Sequence, residues 1–223
     1  MQYNQNMKTH FENILMASRK LHVQQVYEKF EIILGFESRN KYRILDENMK
    51  PIAYAAEASS GLLATLTRIF MKHWRTFEIH IFNQEKERLY IAHFPFRWFF
   101  KTLNLRHESG LPIGHLQQRF AFFSKKFSVY GPQGELLAEI KSPIFKVWTF
   151  EFKKDGRKIG SLQKKWSGAL TEIFTDKDNF TVTYAQSEMP LETKTLMMAM
   201  CLMVDIIYFE NNQGAGSALD LID

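Results

Sequence analysis

Along most of the chain, apolar and polar residues alternate with a period of two, and short polar turns break the alternation. "KYRILDENMKPIAYAAE" (Lys41–Glu57) reads as strand, turn and strand. "FEIHIFNQEKERLYIAHF" (Phe77–Phe94) reads the same way around a charged turn at Gln84–Glu87. "KFSVYGPQGELLAEIK" (Lys126–Lys141) turns at Gly131–Gly134. "VWTFEFKKDGRKIGSLQKKW" (Val147–Trp166) turns at Asp155-Gly156, a pair suited to a type I′ turn because both residues tolerate positive φ. "ALTEIFTD" (Ala169–Asp176) and "NFTVTY" (Asn179–Tyr184) add two more strands. The first hairpin is echoed by the third and the second by the fourth, a loose internal duplication.

One stretch breaks the pattern. "TLMMAMCLMVDIIYF" (Thr195–Phe209) is apolar on every side and carries a single carboxylate, Asp205. A membrane span needs about 20 apolar residues to cross roughly 30 Å of hydrocarbon. Leu196–Phe209 is too short, covering about 21 Å as a helix, and a carboxylate within hydrocarbon costs a few kcal/mol. The segment does read as a helix. Pro190 suits its start, Glu192 complements the dipole of the first turn, and Asn211, Asn212 and Gly214 supply a stop. A helix apolar all round must be surrounded, by lipid or by protein. Many antiparallel strands hide their edges by closing into a barrel. A wide barrel needs something in its lumen, and this helix would fill it. The rival reading is a membrane anchor at the C-terminal end.

Composition fits a globular protein, with 45% hydrophobic and 24% charged residues among 223. The net charge of +5 favours anionic partners, either phospholipid surfaces or nucleic acid. Cys201 is the single cysteine, so an intramolecular disulfide and a multi-cysteine zinc site are both excluded; it reads as an inert core thiol. The first twenty residues hold no apolar run of signal-peptide length. The expected location is cytoplasmic, with attachment to the inner face of the membrane in view. The N-terminal segment reads as a short helix or strand leading into the barrel.

From Gly160 to Glu210 the chain resembles the phospholipid scramblase family. The features that carry this are Gly160, Lys165-Trp166-Ser167-Gly168, Phe174-Thr175-Asp176, Asp178-Asn179-Phe180 and the helix ending Val204-Asp205-Ile206-Ile207-Tyr208-Phe209-Glu210. "NKYRILDENMKPIAYAAE" and "GLPIGHLQQRF" extend the resemblance upstream. That family is similar in fold to tubby-like and LURP-one-related proteins. The resemblance implies a mainly β protein: a closed antiparallel barrel of about twelve strands enclosing a central hydrophobic C-terminal helix. The expected division is a lead-in at 1–34, a barrel domain at 35–211 with its core helix at 190–210, and a flexible tail at 212–223. The resemblance also implies binding to phospholipid surfaces, linked to calcium-triggered movement of lipid between leaflets.

The family's calcium segment falls on Asp176–Ser187, where Asp176, Asp178 and Asn179 offer oxygen ligands. The loop lacks the glycine and the bidentate glutamate of a calcium hand, since Thr181 and Ser187 stand at those positions. It reads as a polar turn before a strand, so a calcium site here would be weak. The cysteine-rich, lipid-modified patch of the family falls on Phe94–His107, which has no cysteine. Instead Phe96, Trp98, Phe99 and Phe100 stand beside Arg97 and Lys101, the pattern of a membrane interface, or else of a buried strand. Basic residues also cluster at Lys72–Arg75 and at Lys153, Lys154, Arg157, Lys158, Lys164 and Lys165. The second group could form one basic face for an anionic headgroup or a nucleic-acid backbone.

No nucleophile elbow, phosphate-binding loop, zinc-protease helix or paired-cysteine motif is present, and the seven histidines are dispersed. The chain therefore reads as non-enzymatic. Two classes stay open: a peripheral binder of anionic phospholipid membranes, and a soluble module that binds a protein or nucleic acid through its basic face. The oligomeric state is not encoded in any of these signals.

Overall fold

The computed structural model of the chain describes residues 2–26, 40–58, 76–143, 148–165, 179–185 and 189–209, without the side chains of 2–9, 143 and 165. Helix α1 (Gln2–Ala17) is followed by twelve strands. They are β1 (Lys20–Gln25), β2 (Lys41–Leu45), β3 (Pro51–Glu57), β4 (Phe77–Asn83), β5 (Arg88–Phe94), β6 (Thr102–His107), β7 (Pro112–Arg119), β8 (Ser124–Tyr130), β9 (Leu136–Pro143), β10 (Thr149–Lys154), β11 (Arg157–Lys165) and β12 (Asn179–Tyr184). Helix α2 (Leu191–Tyr208) follows.

The strands form one closed antiparallel barrel in chain order, with β1 joining β12 to β2. Each hairpin expected from the alternation is present. At Asp155-Gly156 both residues have positive φ, 49° and 76°, as a type I′ turn requires. All five tight hairpins slip register beside the turn: β2–β3 at Ile44/Leu45, β4–β5 at Ile81/Phe82, β6–β7 at Leu105/Arg106, β8–β9 at Val129/Tyr130 and β10–β11 at Phe152/Lys153.

Two elements go beyond the alternation. The hairpin β6–β7 is one. On β7 the inward residues Gly114 and Leu116 supply a single apolar side chain, which makes its period faint. The other is β1, a barrel strand that begins at Lys20, upstream of the expected domain start. The expected strand Ala169–Asp176 and the tail 212–223 lie outside the described residues.

Helix α2 occupies the lumen. Fourteen consecutive residues, Thr193–Ile206, are buried, which one-sided packing against a sheet would not produce. Its contacts come from all round the barrel. Leu196 meets Gly114 on β7, Met197 meets Gly160 on β11, the Tyr208 ring meets Phe127 on β8 and Phe150 on β10, and the Tyr42 hydroxyl on β2 donates to Asp205 Oδ2 at 2.7 Å. Gly114 and Gly160 are needed because a Cβ at either site would run into backbone carbonyls and the helix side chains.

The two charged residues that α2 buries, Lys194 and Asp205, are both engaged. Lys194, fully buried near the start of α2, donates from Nζ to the carbonyls of Leu15 (3.2 Å), Ser18 (2.9 Å) and Met16. The last turn of α1 has no basic residue of its own, so Lys194 supplies the cation that its C-terminal carbonyls favour. α1 is thereby fastened across one end of the barrel, with Phe11 and Leu15 buried beneath it.

Candidate membrane-contact site

The barrel has two unlike ends. The tight turns after β2, β4, β6, β8 and β10, together with α1 and the start of α2, occupy one end. The loops after β5 and β7, with the end of α2, occupy the other. Six aromatic side chains stand out at that second end: Trp98, Phe99 and Phe100 from the β5–β6 loop, and Phe120, Phe122 and Phe123 from the β7–β8 loop. They are between 41% and 84% exposed.

Four of the rings are in contact across the two loops, and Trp98 packs on Phe96. Phe100 meets Phe120 at 6.4 Å between centroids, Phe120 meets Phe122 at 4.8 Å, Phe122 meets Phe123 at 6.3 Å, and Phe96 meets Trp98 at 5.3 Å. The first loop is tied at both ends: the Phe96 N–H donates to Thr76 Oγ1 at 3.0 Å, and the Gln118 N–H donates to the Lys101 carbonyl at 2.9 Å. Six rings exposed together at one end are a surface feature and not part of the core. Soluble monomers rarely expose a large contiguous apolar patch unless something docks there.

Cations border the rings. Arg97 and Lys101 lie on the first loop, and burial lowers the Lys101 pKa. Arg119, Lys126 and Lys141 stand directly opposite one another on β7, β8 and β9, all exposed. Like charges placed across a sheet are unfavourable; Glu151 on β10 stands opposite Lys141 and offsets that end of the row, while Arg119 and Lys126 face each other beside the rings.

The sequence-predicted residues Phe96, Arg97, Trp98, Phe99, Phe100 and Lys101 thus fall together on the rim. Phe120, Phe122 and Phe123 were not singled out, although "RFAFFSKK" (Arg119–Lys126) repeats the same mixture of phenylalanine and cations. The predicted basic group is divided. Lys153, Lys154, Arg157 and Lys158 surround the β10–β11 turn at the opposite end. Glu151 lies 3.4 Å from Lys153 and 3.7 Å from Lys158, which partly neutralises them. Lys164 is buried at the aromatic end, and the Lys165 side chain lies outside the described residues. Of the calcium candidates, Asn179 begins β12, paired with Gln24 and Lys165; Asp176 and Asp178 lie outside the described residues, as does Lys72–Arg75. His80 and His93 both face Glu78, at 3.1 and 3.3 Å, and Arg106 donates to it at 2.9 Å. Burial pushes the Glu78 carboxyl up, but the hydrogen bonds from His80 and Arg106 outweigh it and hold its pKa below the ordinary value. Among the described residues no group of three or more His, Cys, Asp or Glu side chains could hold a metal ion.

Fold and rim together define a class: a closed antiparallel barrel filled by its own helix, with an aromatic and basic rim at one end. The chain belongs to the scramblase family, whose profile matches residues 1–211. It is similar to phospholipid scramblase 2 of Bos taurus, 25% identical over 209 residues that cover 87% of this chain and 70% of that protein. It is 26% identical to phospholipid scramblase family member 5 of Homo sapiens over 204 residues, covering 85% of this chain and 73% of the relative. With phospholipid scramblase 1 of Homo sapiens it shares 25% identity over 203 residues, covering 85% and 62%. The chain therefore spans between about three fifths and three quarters of these relatives' lengths. No solved structure gives a significant match. Among the described residues no helix is long and apolar enough to cross a membrane.

Proposed function

We propose that this protein binds anionic phospholipid membranes peripherally through the rim, without chemical catalysis, and that this binding is linked to lipid movement between leaflets. The observation that carries the reading is the group of six exposed rings at one end of the barrel, four of them in ring contact, bordered by cations. Rings of this kind settle among headgroups, and each nearby Lys or Arg contributes about 1 kcal/mol at an anionic surface. Full burial of one Phe is worth roughly 1.5–3 kcal/mol, so several half-inserted rings and a few cations supply useful affinity. The scramblase names of the relatives support the lipid target. A lumen filled by α2 leaves no path for a headgroup. In this reading, lipid movement comes from disturbance of the leaflet around the rim. The inner face of a membrane, where anionic lipids concentrate, is the matching location.

The test is flotation of detergent-free protein with neutral and with anionic liposomes at two salt concentrations. Binding to anionic vesicles that weakens with salt supports the reading. Absence of flotation under every condition refutes it.

A further inference from the structure

A cavity of about 150 Å³ opens at the end of the barrel opposite the rim, between α1 and the turns after β2 and β4. Its floor is apolar, with Phe11 and Ile14 from α1 and Ile52 from β3. Ionisable side chains line the rest: His10 on α1, Asp46 and Lys50 around the β2–β3 turn, and Glu85 on the β4–β5 turn.

Each wall is fixed by the fold itself. Asp46 Oδ1 accepts from the Asn48 and Lys50 N–H groups at 2.9 and 2.8 Å, which sets the first turn. The Asn83 side chain donates to Glu87 Oε2 at 3.1 Å and accepts from the Glu87 N–H at 2.8 Å, which sets the second. The Gln84 side-chain amide donates to the Pro51 carbonyl and so joins the two hairpins. On the third side, α1 is held by Lys194 through the Leu15 and Ser18 carbonyls, by the Phe11 ring against Tyr90 at 6.1 Å, and by the Tyr90 hydroxyl, which donates to Glu12 at 3.2 Å. A site with walls already ordered spends little of its binding energy on ordering them.

The charges point to the ligand. Lys50 lines the same cavity as Asp46 and Glu85, yet among the described residues none of the three takes part in an ion pair, and the Lys50 and Glu85 side chains make no hydrogen bond. Charges of both signs therefore border one apolar floor without neutralising each other directly. Size narrows the choice further. A cavity of this volume accepts a benzene-sized group and is smaller than a drug-sized pocket. A ligand that matches has a short apolar body with an ammonium and a carboxylate together at one end of it.

We infer that this cavity binds a free amino acid with an apolar side chain. The side chain lies on Phe11, Ile14 and Ile52, the ammonium donates to Asp46 and Glu85, and the carboxylate accepts from Lys50 and His10. The site does not depend on the membrane-contact reading, and a protein attached by its rim keeps this end open to solvent. Because α1 supplies one wall, an amino acid bound here also stabilises the docked α1.

The test is a titration of the isotope-labelled full chain, followed through its amide resonances, with four probes. Leucine carries all three features; serine lacks the apolar body, leucinamide the carboxylate and 4-methylpentanoate the ammonium. Leucine is expected to shift resonances of α1 and of both turns saturably at millimolar concentration. The other three should bind about tenfold more weakly or worse, since each forfeits one set of contacts. Lys50→Gln and Glu85→Gln should each weaken leucine binding about fivefold while the melting temperature holds, because both side chains are exposed. Lys194→Met should weaken it too, by loosening α1; if that variant fails to fold, the two turn variants decide. Absence of a saturable shift with leucine at tens of millimolar overturns the inference, as do shifts confined to residues away from α1 and the turns. Leucine affinity left intact by both turn variants also overturns it. Leucinamide or 4-methylpentanoate binding as tightly as leucine overturns the assignment to an amino acid.

Discussion

Gln118 is joined to Lys101 by two hydrogen bonds. Its backbone N–H donates to the Lys101 carbonyl at 2.9 Å, and its Oε1 accepts from the Lys101 N–H at 3.2 Å. One residue thus joins the end of the β5–β6 loop to the strand that leads into the β7–β8 loop. Gln118→Ala removes the side-chain half of the clip, worth about 1 kcal/mol per hydrogen bond. Vesicle affinity is expected to fall about fivefold as the loops lose their relative position, with only a few degrees lost in melting temperature. Unchanged affinity in a flotation titration would show that the loops act independently.

Trp98→Ala with Phe99→Ala, and separately Phe122→Ala with Phe123→Ala, should each weaken vesicle binding at least tenfold. All four side chains are exposed, so the melting temperature should stay within about 2 °C, the range expected of surface substitutions. A loss of 10 °C would place these rings in the core.

Lys194 holds α1 through three carbonyls. Lys194→Met keeps most of the volume but leaves those carbonyls without their donor, at a cost of roughly 2–3 kcal/mol. For a chain of this size that lowers the melting temperature by about 5–10 °C. Faster amide exchange confined to α1 would locate the damage. Exchange rising uniformly would mean that α1 is not a separate cap.

Gly114→Ala should be among the most damaging substitutions. Its φ of 146° strains any side chain, and the added Cβ would strike the Tyr130 carbonyl and lie 2.9 Å from Leu196 Cδ1. Leu196→Ala should not rescue it, because the Tyr130 carbonyl is backbone. Rescue, scored as soluble yield and melting temperature, would show that the side-chain clash governs.

Alkaline pH should destabilise the fold. Burial pushes the Tyr184 phenol and the Cys201 thiol well above their ordinary values, and the Tyr208 phenol up to about 12. A group whose folded pKa is raised contributes stability that is fully present below its unfolded pKa and lost as pH rises toward the folded one. The decline therefore begins near the unfolded thiol value of 9.0 and steepens above the phenol value of 10.0. Lys101, Lys125 and Lys194 have lowered values and act in the opposite sense up to 10.5, but they are displaced less. Urea midpoints should fall between pH 9 and 11, and Tyr208→Phe should reduce the fall above pH 10. A rising midpoint would assign the titration to the lysines.

The barrel was legible because hairpins such as β4–β5 alternate strictly and their turns carry the residues that positive φ demands. The lumen helix was legible because α2 is apolar on every face. Less was visible where structure depends on distant partners. Lys194 looks like a solvent lysine in sequence, and its meaning comes from carbonyls almost the whole chain away. Of the rim, Phe96–Lys101 stood out by composition. Phe120–Phe123 did not, because only the pairing of β6 with β7 brings the two loops side by side. The basic residues on β10 and β11 were grouped by spacing, yet one strand carries Arg157 to one end of the barrel and Lys164 to the other.

The helix that fills the barrel lies after every strand in the chain. During synthesis all twelve strands emerge before Leu196–Ile206 does, so the growing chain must manage a wall with no interior. Closure of β1 against β12 is equally late, joining residues about 160 positions apart. Until then the inward faces of the early hairpins are exposed apolar surface, the condition in which chains aggregate or engage chaperones. The fold is thus completed from the inside, and by its last-made part.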